Sequence, residues 1–204
     1  MAATEQSDRR DARRRAPEEP TILRVAAVLF TTRGYRATTM DDLSEALEIT
    51  KPTLYVHGRS KRDILERIID SFVDEADRRL TEALDGSAGE GWIPVLIRSW
   101  VELAVAMRPH MFAYLNLRNE VSSDADARYN AWSESVDERV RVAVARDQAR
   151  GTLRGDIDPT IIAYQLLALG NWTARWFRED GRLSLEEIID GYMLTLNGGL
   201  GPPV

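Results

Sequence analysis

Five hydrogen-bonding side chains, Lys51, Thr53, Tyr55, His57 and Lys61, fall within eleven positions of this 204-residue chain. Ammonium, hydroxyl and imidazole groups at this density suit phosphates and base edges. They do not make a catalytic centre, which needs a nucleophile beside a base or paired carboxylates in a cleft. The chain has no cysteine, and its two histidines, His57 and His110, are too few and too far apart for a metal site. No enzyme, metal or cofactor is therefore expected.

The residues around these five predict two short helices and a tight turn. Thr39 is an N-cap, with Asp41 and Asp42 in the first turn where the helix dipole favours acids. Leu43, Ala46 and Leu47 give that helix an apolar side. Glu48-Ile49 interrupts, Thr50 is the next cap, and Pro52 occupies a first turn. The second helix, from Lys51 to about His57, is only about 10 Å long at 1.5 Å per residue. It buries little but fits a major groove about 12 Å wide. Lys51 and Thr53, with Met40 or Asp41, are the positions most exposed to base edges. A supporting helix is expected from about Thr21 to Arg33, with Ile22, Val25, Ala26, Leu29 and Phe30 on one face. Gly34 ends it as a left-handed cap, and Tyr35 folds back onto the core.

The run PTLYVHGRSKRDIL, preceded by LFTTRGYRATTMDDLSEALEIT, resembles the DNA-binding domain of the tetracycline-repressor (TetR) family over roughly residues 22–66. Phe30, Gly34 and Tyr35, the Thr39 cap, and Tyr55, His57 and Lys61 carry the resemblance. It implies that Thr39, through hydroxyl and N–H, and Tyr55, His57 and Lys61 contact the DNA backbone. Two positions depart from the family's pattern. Glu48 stands where the family has a turn glycine, so either Glu48 is held in a strained left-handed conformation or the turn differs. Gly58 stands where an aromatic follows the histidine.

A net charge of −6 is unexpected for a DNA binder until it is divided. Residues 1–62 hold 12 Lys and Arg against 9 Asp and Glu, a net of +3, and the remainder is −9. The acidic part would repel DNA and orient the encounter. Residues 1–20, with five arginines among acids and almost no large apolar side chain, are predicted to be a disordered basic tail. That tail is either a solvated segment or an arm touching DNA. No apolar run approaches a membrane span and no signal peptide is evident, so a cytoplasmic protein without membrane association is expected.

Beyond the reading segment (21–60), residues 61–200 are predicted to form a helical ligand-binding and dimerisation domain. Helices are expected from about Ser60 to Leu84, Trp92 to Met107, Pro109 onward, Asp124 to Arg150, Asp158-Pro159 to Phe177 and Leu185 to Asn197. The fold is then all-α, about nine helices. Trp100, Met107, Met111, Phe112, Asn116 and Trp132 are either core or the lining of a cavity for a small apolar effector. Ala163, Leu166, Gly170 and Ala174, with Ile189 and Tyr192 on the last helix, are the expected homodimer seam; the alternative is a monomer core. Residues 169–177, then Gly181–Ser184 and Glu186–Ile188, resemble the C-terminal signature of TetR-family repressors of fatty-acid and steroid catabolism. That resemblance implies release from double-stranded DNA by an acyl-CoA thioester. The alternatives are a cationic-drug sensor controlling efflux, with Glu102 or Glu120 as partner, and a helical carrier that binds no DNA.

Overall fold

A computed structural model describes residues 17–85 and 91–200, with the backbone alone at 199 and 200. The expected basic tail therefore lies almost wholly outside the described residues, as does most of the loop expected after Asp85. Nine α-helices, and no strand, are found among the described residues. They are α1 (Glu19–Leu29), α2 (Met40–Ala46), α3 (Lys51–His57), α4 (Lys61–Asp85), α5 (Trp92–Ala106), α6 (Arg108–Leu117), α7 (Ser123–Ala149), α8 (Pro159–Trp176) and α9 (Leu185–Leu200). The first helix begins inside the segment expected to be disordered, because Pro20 sits where a missing N–H costs nothing.

The chain divides into two compact units. The first comprises residues up to Phe72 together with Pro109–Asp126, and the second comprises Val73–Arg108 with the residues from Ala127 onward. The break at residue 60 expected from the sequence is not where the division falls. Ile64, Leu65 and Ile68 of α4 are fully buried, so the opening turns of α4 belong to the first unit's core.

In the first unit Ile22, Leu23, Ala26, Ala27, Phe30, Leu43 and Leu54 join those three residues in the core. Ala46, expected on the apolar side of α2, is instead exposed. Past α1 the backbone widens into a π-type turn, Phe30–Gly34, closed by Gly34 at φ +96°. The contribution of Pro109–Asp126 is fixed by polar ties. Arg36 Nε donates to the Glu120 carboxylate at 3.0 Å, Arg62 Nε to the Glu120 carbonyl at 3.2 Å, and Ser122 N–H to Glu66 at 2.9 Å. His110 of α6 is buried, and that burial, then the charge of Arg24, pushes its imidazole down to about 4.

In the second unit α5 is buried on several sides, as its composition predicts, through Trp92, Leu96, Ile97, Trp100, Val101, Leu103 and Ala104. It packs chiefly on α8. A Cβ on Gly170 of α8 would lie 2.6 Å from Trp100 Cδ1 and 2.9 Å from the Trp100 carbonyl oxygen, so only glycine permits this approach. Trp92 Nε1 donates to Asp147 at 2.8 Å, and Arg139 bridges from α7 to Asp77 and Thr81. The caps follow the sequence: Asp158 accepts from Thr160 N–H before Pro159, and Ser184 and Glu187 form a reciprocal capping pair at the start of α9.

Candidate nucleic-acid interface

The α2–turn–α3 segment is built from its ends inward. Thr39 Oγ1 accepts from Asp42 N–H at 3.1 Å, while Asp42 accepts from Thr39 N–H at 2.8 Å and from Thr39 Oγ1 at 2.6 Å. These bonds hold the Asp42 carboxyl below the usual carboxylate range. Glu48 closes α2 at φ +54°, the only non-glycine residue with positive φ among those described. Its N–H donates to Glu45 O and that of Ile49 to Ser44 O, each at 3.0 Å, which satisfies the last carbonyls of α2. The turn thus keeps its shape without the family's glycine.

Thr50 caps α3 by accepting from Thr53 N–H, and the two hydroxyls meet at 2.8 Å. Leu54 is the one buried side chain of α3. At the far end Gly58 is extended, but a Cβ there would lie 2.4 Å from Ile64 Cγ1. Ile64 therefore occupies the room that a larger residue after the histidine would need. Arg67 donates to the His57 carbonyl and pairs with Glu19 at 3.1 Å, which anchors the C-terminus of α3 to α1.

With seven residues and one anchor, α3 turns most of its surface outward. Lys51, Pro52, Tyr55 and Val56 are exposed, Val56 at 79%. Thr53 and His57 are half-buried on the flanks. The four polar residues expected on the outer side were spaced two apart, whereas a helix repeats at 3.6, so the outer face is Lys51–Pro52–Tyr55–Val56 with Arg59 beyond. Sequence reasoning missed Val56 and Arg59, and the spacing from Lys51 is the signal that finds them. Val56 is an apolar group of the kind that touches a thymine methyl. Tyr55, Val56, Arg59 and Arg62 also line an open surface groove of about 660 Å³.

Several expected contact groups already have partners. Lys61 Nζ donates to the Tyr35 carbonyl at 2.8 Å and lies 4.6 Å from the Tyr35 ring centroid, which leaves two of its three N–H groups for a phosphate. The Thr39 N–H expected at DNA is donated to Asp42 instead, because the cap uses it. Lys51 Nζ is 2.6 Å from Asp41 Oδ1, and this hydrogen bond raises its pKa.

The expected effector residues divide between the units. Met111 is buried, Phe112 half-buried and Asn116 exposed in the first, where Asn116 donates to the Phe112 carbonyl at 2.8 Å. In the second, Trp100 is buried, Met107 and Trp132 are half-buried, and Trp132 meets Tyr129 edge-on at 5.3 Å. Two buried donors of the second unit, Trp100 Nε1 and Arg108 Nε, have no hydrogen-bond partner among the described residues. Neither glutamate expected to meet a cationic drug is free and buried. Glu102 is 44% exposed near Arg79 and Arg98, and Glu120 holds Arg36.

The small-residue stripe expected at a subunit seam is turned inward. Ala163, Leu166, Gly170 and Ala174 are buried within the chain, with Gly170 on α5, and Ile189 is buried as well. Tyr192 is half-buried, its hydroxyl 2.8 Å from that of Thr173. The apolar side chains that α8 and α9 leave outside are Ile161, Tyr164, Trp172, Trp176 and Leu194. Among the described residues no group of acids and histidines is arranged to hold a metal, and no helix is long and apolar enough to cross a membrane.

Comparison with known proteins agrees with this architecture. Residues 22–68 match the family described as bacterial regulatory proteins, tetR family, and residues 93–200 match the tetracyclin repressor-like C-terminal domain. The chain is 29% identical over 191 residues to the HTH-type transcriptional repressor KstR2 of Rhodococcus jostii, covering 89% of this chain and 90% of that one. It is similar to the crystal structure of a TetR/AcrR-family transcriptional regulator from Thermobifida fusca, with a TM-score of 0.67, 30% identity, and coverage of 89% and 97%. It is also similar to AibR in complex with isovaleryl coenzyme A and operator DNA, with a TM-score of 0.74, 26% identity, and coverage of 91% and 99%. The two matched segments take in both the reading helices and the helical region after Gly91, and the chain belongs to the TetR family of transcriptional regulators.

Proposed function

We propose that this protein is a cytoplasmic transcriptional repressor that binds a palindromic operator as a homodimer and is released by an acyl-CoA thioester. The observation that carries the DNA half is the outward face of α3 in a TetR-family reading unit: a seven-residue helix with one buried side chain and exposed Lys51, Tyr55 and Val56. Thr39, Thr53, His57 and Lys61 flank that face and serve the phosphates. One helix-turn-helix contacts too little duplex for tight, specific binding, so two copies act on half-sites about 34–36 Å apart or a multiple of that. The row Ile161, Tyr164, Trp172 and Trp176 on α8, with Leu194 on α9, is the surface that the second copy covers, since large apolar groups in a row are seldom left in water.

The effector half rests on two supports. AibR was crystallised with isovaleryl coenzyme A and operator DNA. In this chain, Trp100 Nε1 and Arg108 Nε are buried donors that suit an acceptor-rich ligand held among the helices after Gly91. A cationic effector is disfavoured because Glu102 and Glu120 already face arginines. Release requires that the ligand bind the DNA-incompetent state more tightly. The coupling runs along α4, whose chain continues from the first unit into the second, and weakens DNA binding roughly 5- to 150-fold.

The test is a titration of the protein on the DNA upstream of its own coding sequence, with acyl-CoAs of several chain types, free fatty acids and cationic dyes. Release by acyl-CoAs alone is expected. Release by dyes alone overturns the thioester reading, and no binding to any duplex overturns the repressor reading itself.

A further inference from the structure

The reading face carries an acid, a group that DNA phosphates repel. Asp41, in the first turn of α2, has a side chain 65% exposed, and its Oδ1 lies 2.6 Å from Nζ of Lys51, the first residue of α3, itself 56% exposed. The pair spans the helix-turn-helix on its outer side. Tyr55, one turn along α3 from Lys51, is exposed as well. Two other acids near the reading helices have structural work: Asp42 caps α2 and pairs with Arg33, and Asp63 accepts from Arg59 N–H. Asp41 makes no such cap, and its polar partner is a residue positioned to read bases.

We infer that Asp41 and Lys51 read one G·C base pair as a unit, with Lys51 donating to guanine O6 and N7 and Asp41 accepting from cytosine N4. This rests on the DNA-binding reading above. The major-groove edge of a G·C pair offers two adjacent acceptors on guanine and then one donor on cytosine. O6 and N4 are themselves hydrogen-bonded, hence about 2.9 Å apart. A protein donor and acceptor 2.6 Å apart match that spacing, with the signs opposed. An A·T pair presents a donor on adenine between single acceptors, so the ammonium finds one acceptor instead of two. Holding a flexible lysine against a carboxylate also fixes its ammonium before DNA arrives. The same carboxylate removes one positive charge from what the face offers to phosphates, so it weakens binding to unrelated sequences and widens the ratio between operator and bulk DNA.

The experiment is selection from a randomised duplex pool with the full-length wild type and the variants Asp41→Asn, Lys51→Ala and the double variant, each checked by its melting temperature. The affinity of each for an unrelated duplex is measured against salt. The wild type is expected to enrich a G·C pair in each half-site, preferred over the other pairs roughly 5- to 150-fold, the equivalent of one good bidentate contact. Either substitution removes that preference and the double variant loses no more than either alone, as a coupled pair requires. On the unrelated duplex Asp41→Asn binds more tightly, with a salt slope steeper by about 0.9. An Asp41→Asn consensus that keeps the G·C pair, or no gain on the unrelated duplex, overturns the inference and leaves the DNA-binding reading standing. Failure of the wild type to enrich any sequence overturns both.

Discussion

Helix α3 of the reading unit and helix α8 of the second unit are held by opposite means. α3 buries Leu54 alone and is kept in place by its ends: the Thr50 cap, the Gly58–Ile64 contact and the bond from Arg67 to the His57 carbonyl. α8 buries Ile162, Ala163, Leu166, Leu167, Gly170, Thr173 and Ala174, and its ends matter less. A helix that must offer its surface to a partner cannot spend that surface on a core, so its neighbours stabilise it. A helix that is core can leave its exposed side free for another copy. This is why single residues of α3 carry assignable roles, while on α8 the roles belong to faces.

The largest expected effect tests that contrast directly. Leu54→Ala and Leu166→Ala each truncate a fully buried leucine, and each should cost about 2–5 kcal/mol in denaturant unfolding. Their effects on DNA should diverge. Well below either melting point, Leu54→Ala should lose operator affinity by roughly tenfold or more, whereas Leu166→Ala should stay much closer to wild type. Equal losses of affinity would mean that α3 is not separately anchored.

The next effect lies within the first unit and is read by pH. Burial holds the His110 imidazole at about 4, below its ordinary 6.5. The unfolded chain therefore binds the proton first, and stability falls as the pH drops from about 6.5 to about 4. The full effect is about 3 kcal/mol. Carboxylates titrate over part of the same range, so the measure is the difference between wild type and His110→Gln, whose pH profile should be flatter across that window. Parallel profiles would show that His110 is solvated.

The smallest effect concerns the turn that leads from α2 into α3. Glu48 at φ +54° bears a left-handed cost of about 1–2 kcal/mol. Glycine relieves it, but adds about 0.4–1 kcal/mol of unfolded-chain entropy. Glu48→Gly should then stabilise the protein by up to about 1.6 kcal/mol. A fall in melting temperature would place the value of Glu48 in its side chain.

Local features of this kind were legible in the sequence because their causes are local. The Thr39 cap, the left-handed Gly34, the Asp158-Pro159 helix start and the Ser184–Glu187 capping pair each depend on a few adjacent residues. The outer face of α3 follows Lys51, Tyr55 and Arg59 at four-residue steps, not the two-residue period of the polar residues. On α8, a stripe of small residues suits a surface seam and a buried contact equally. A small residue permits close approach by any helix, and only the fold tells whether that helix is α5 or a partner's. The membership of Pro109–Asp126 in the first unit left no local trace, since Arg36 and Glu120 are 84 positions apart. The effector residues were the least legible, because a core aromatic and a cavity-lining one look alike in sequence.

The tie between Arg36 and Glu120 also sets an order of events during synthesis. At about 5–20 residues per second, the ribosome makes Glu120 roughly 4–17 s after Arg36. For that interval α1–α3 can collapse on Leu43 and Leu54, but the segment that completes their unit does not yet exist. The nascent chain thus presents its reading helices before it can lock them, and acquires a finished DNA-binding unit only once the first turn of α7 has been made.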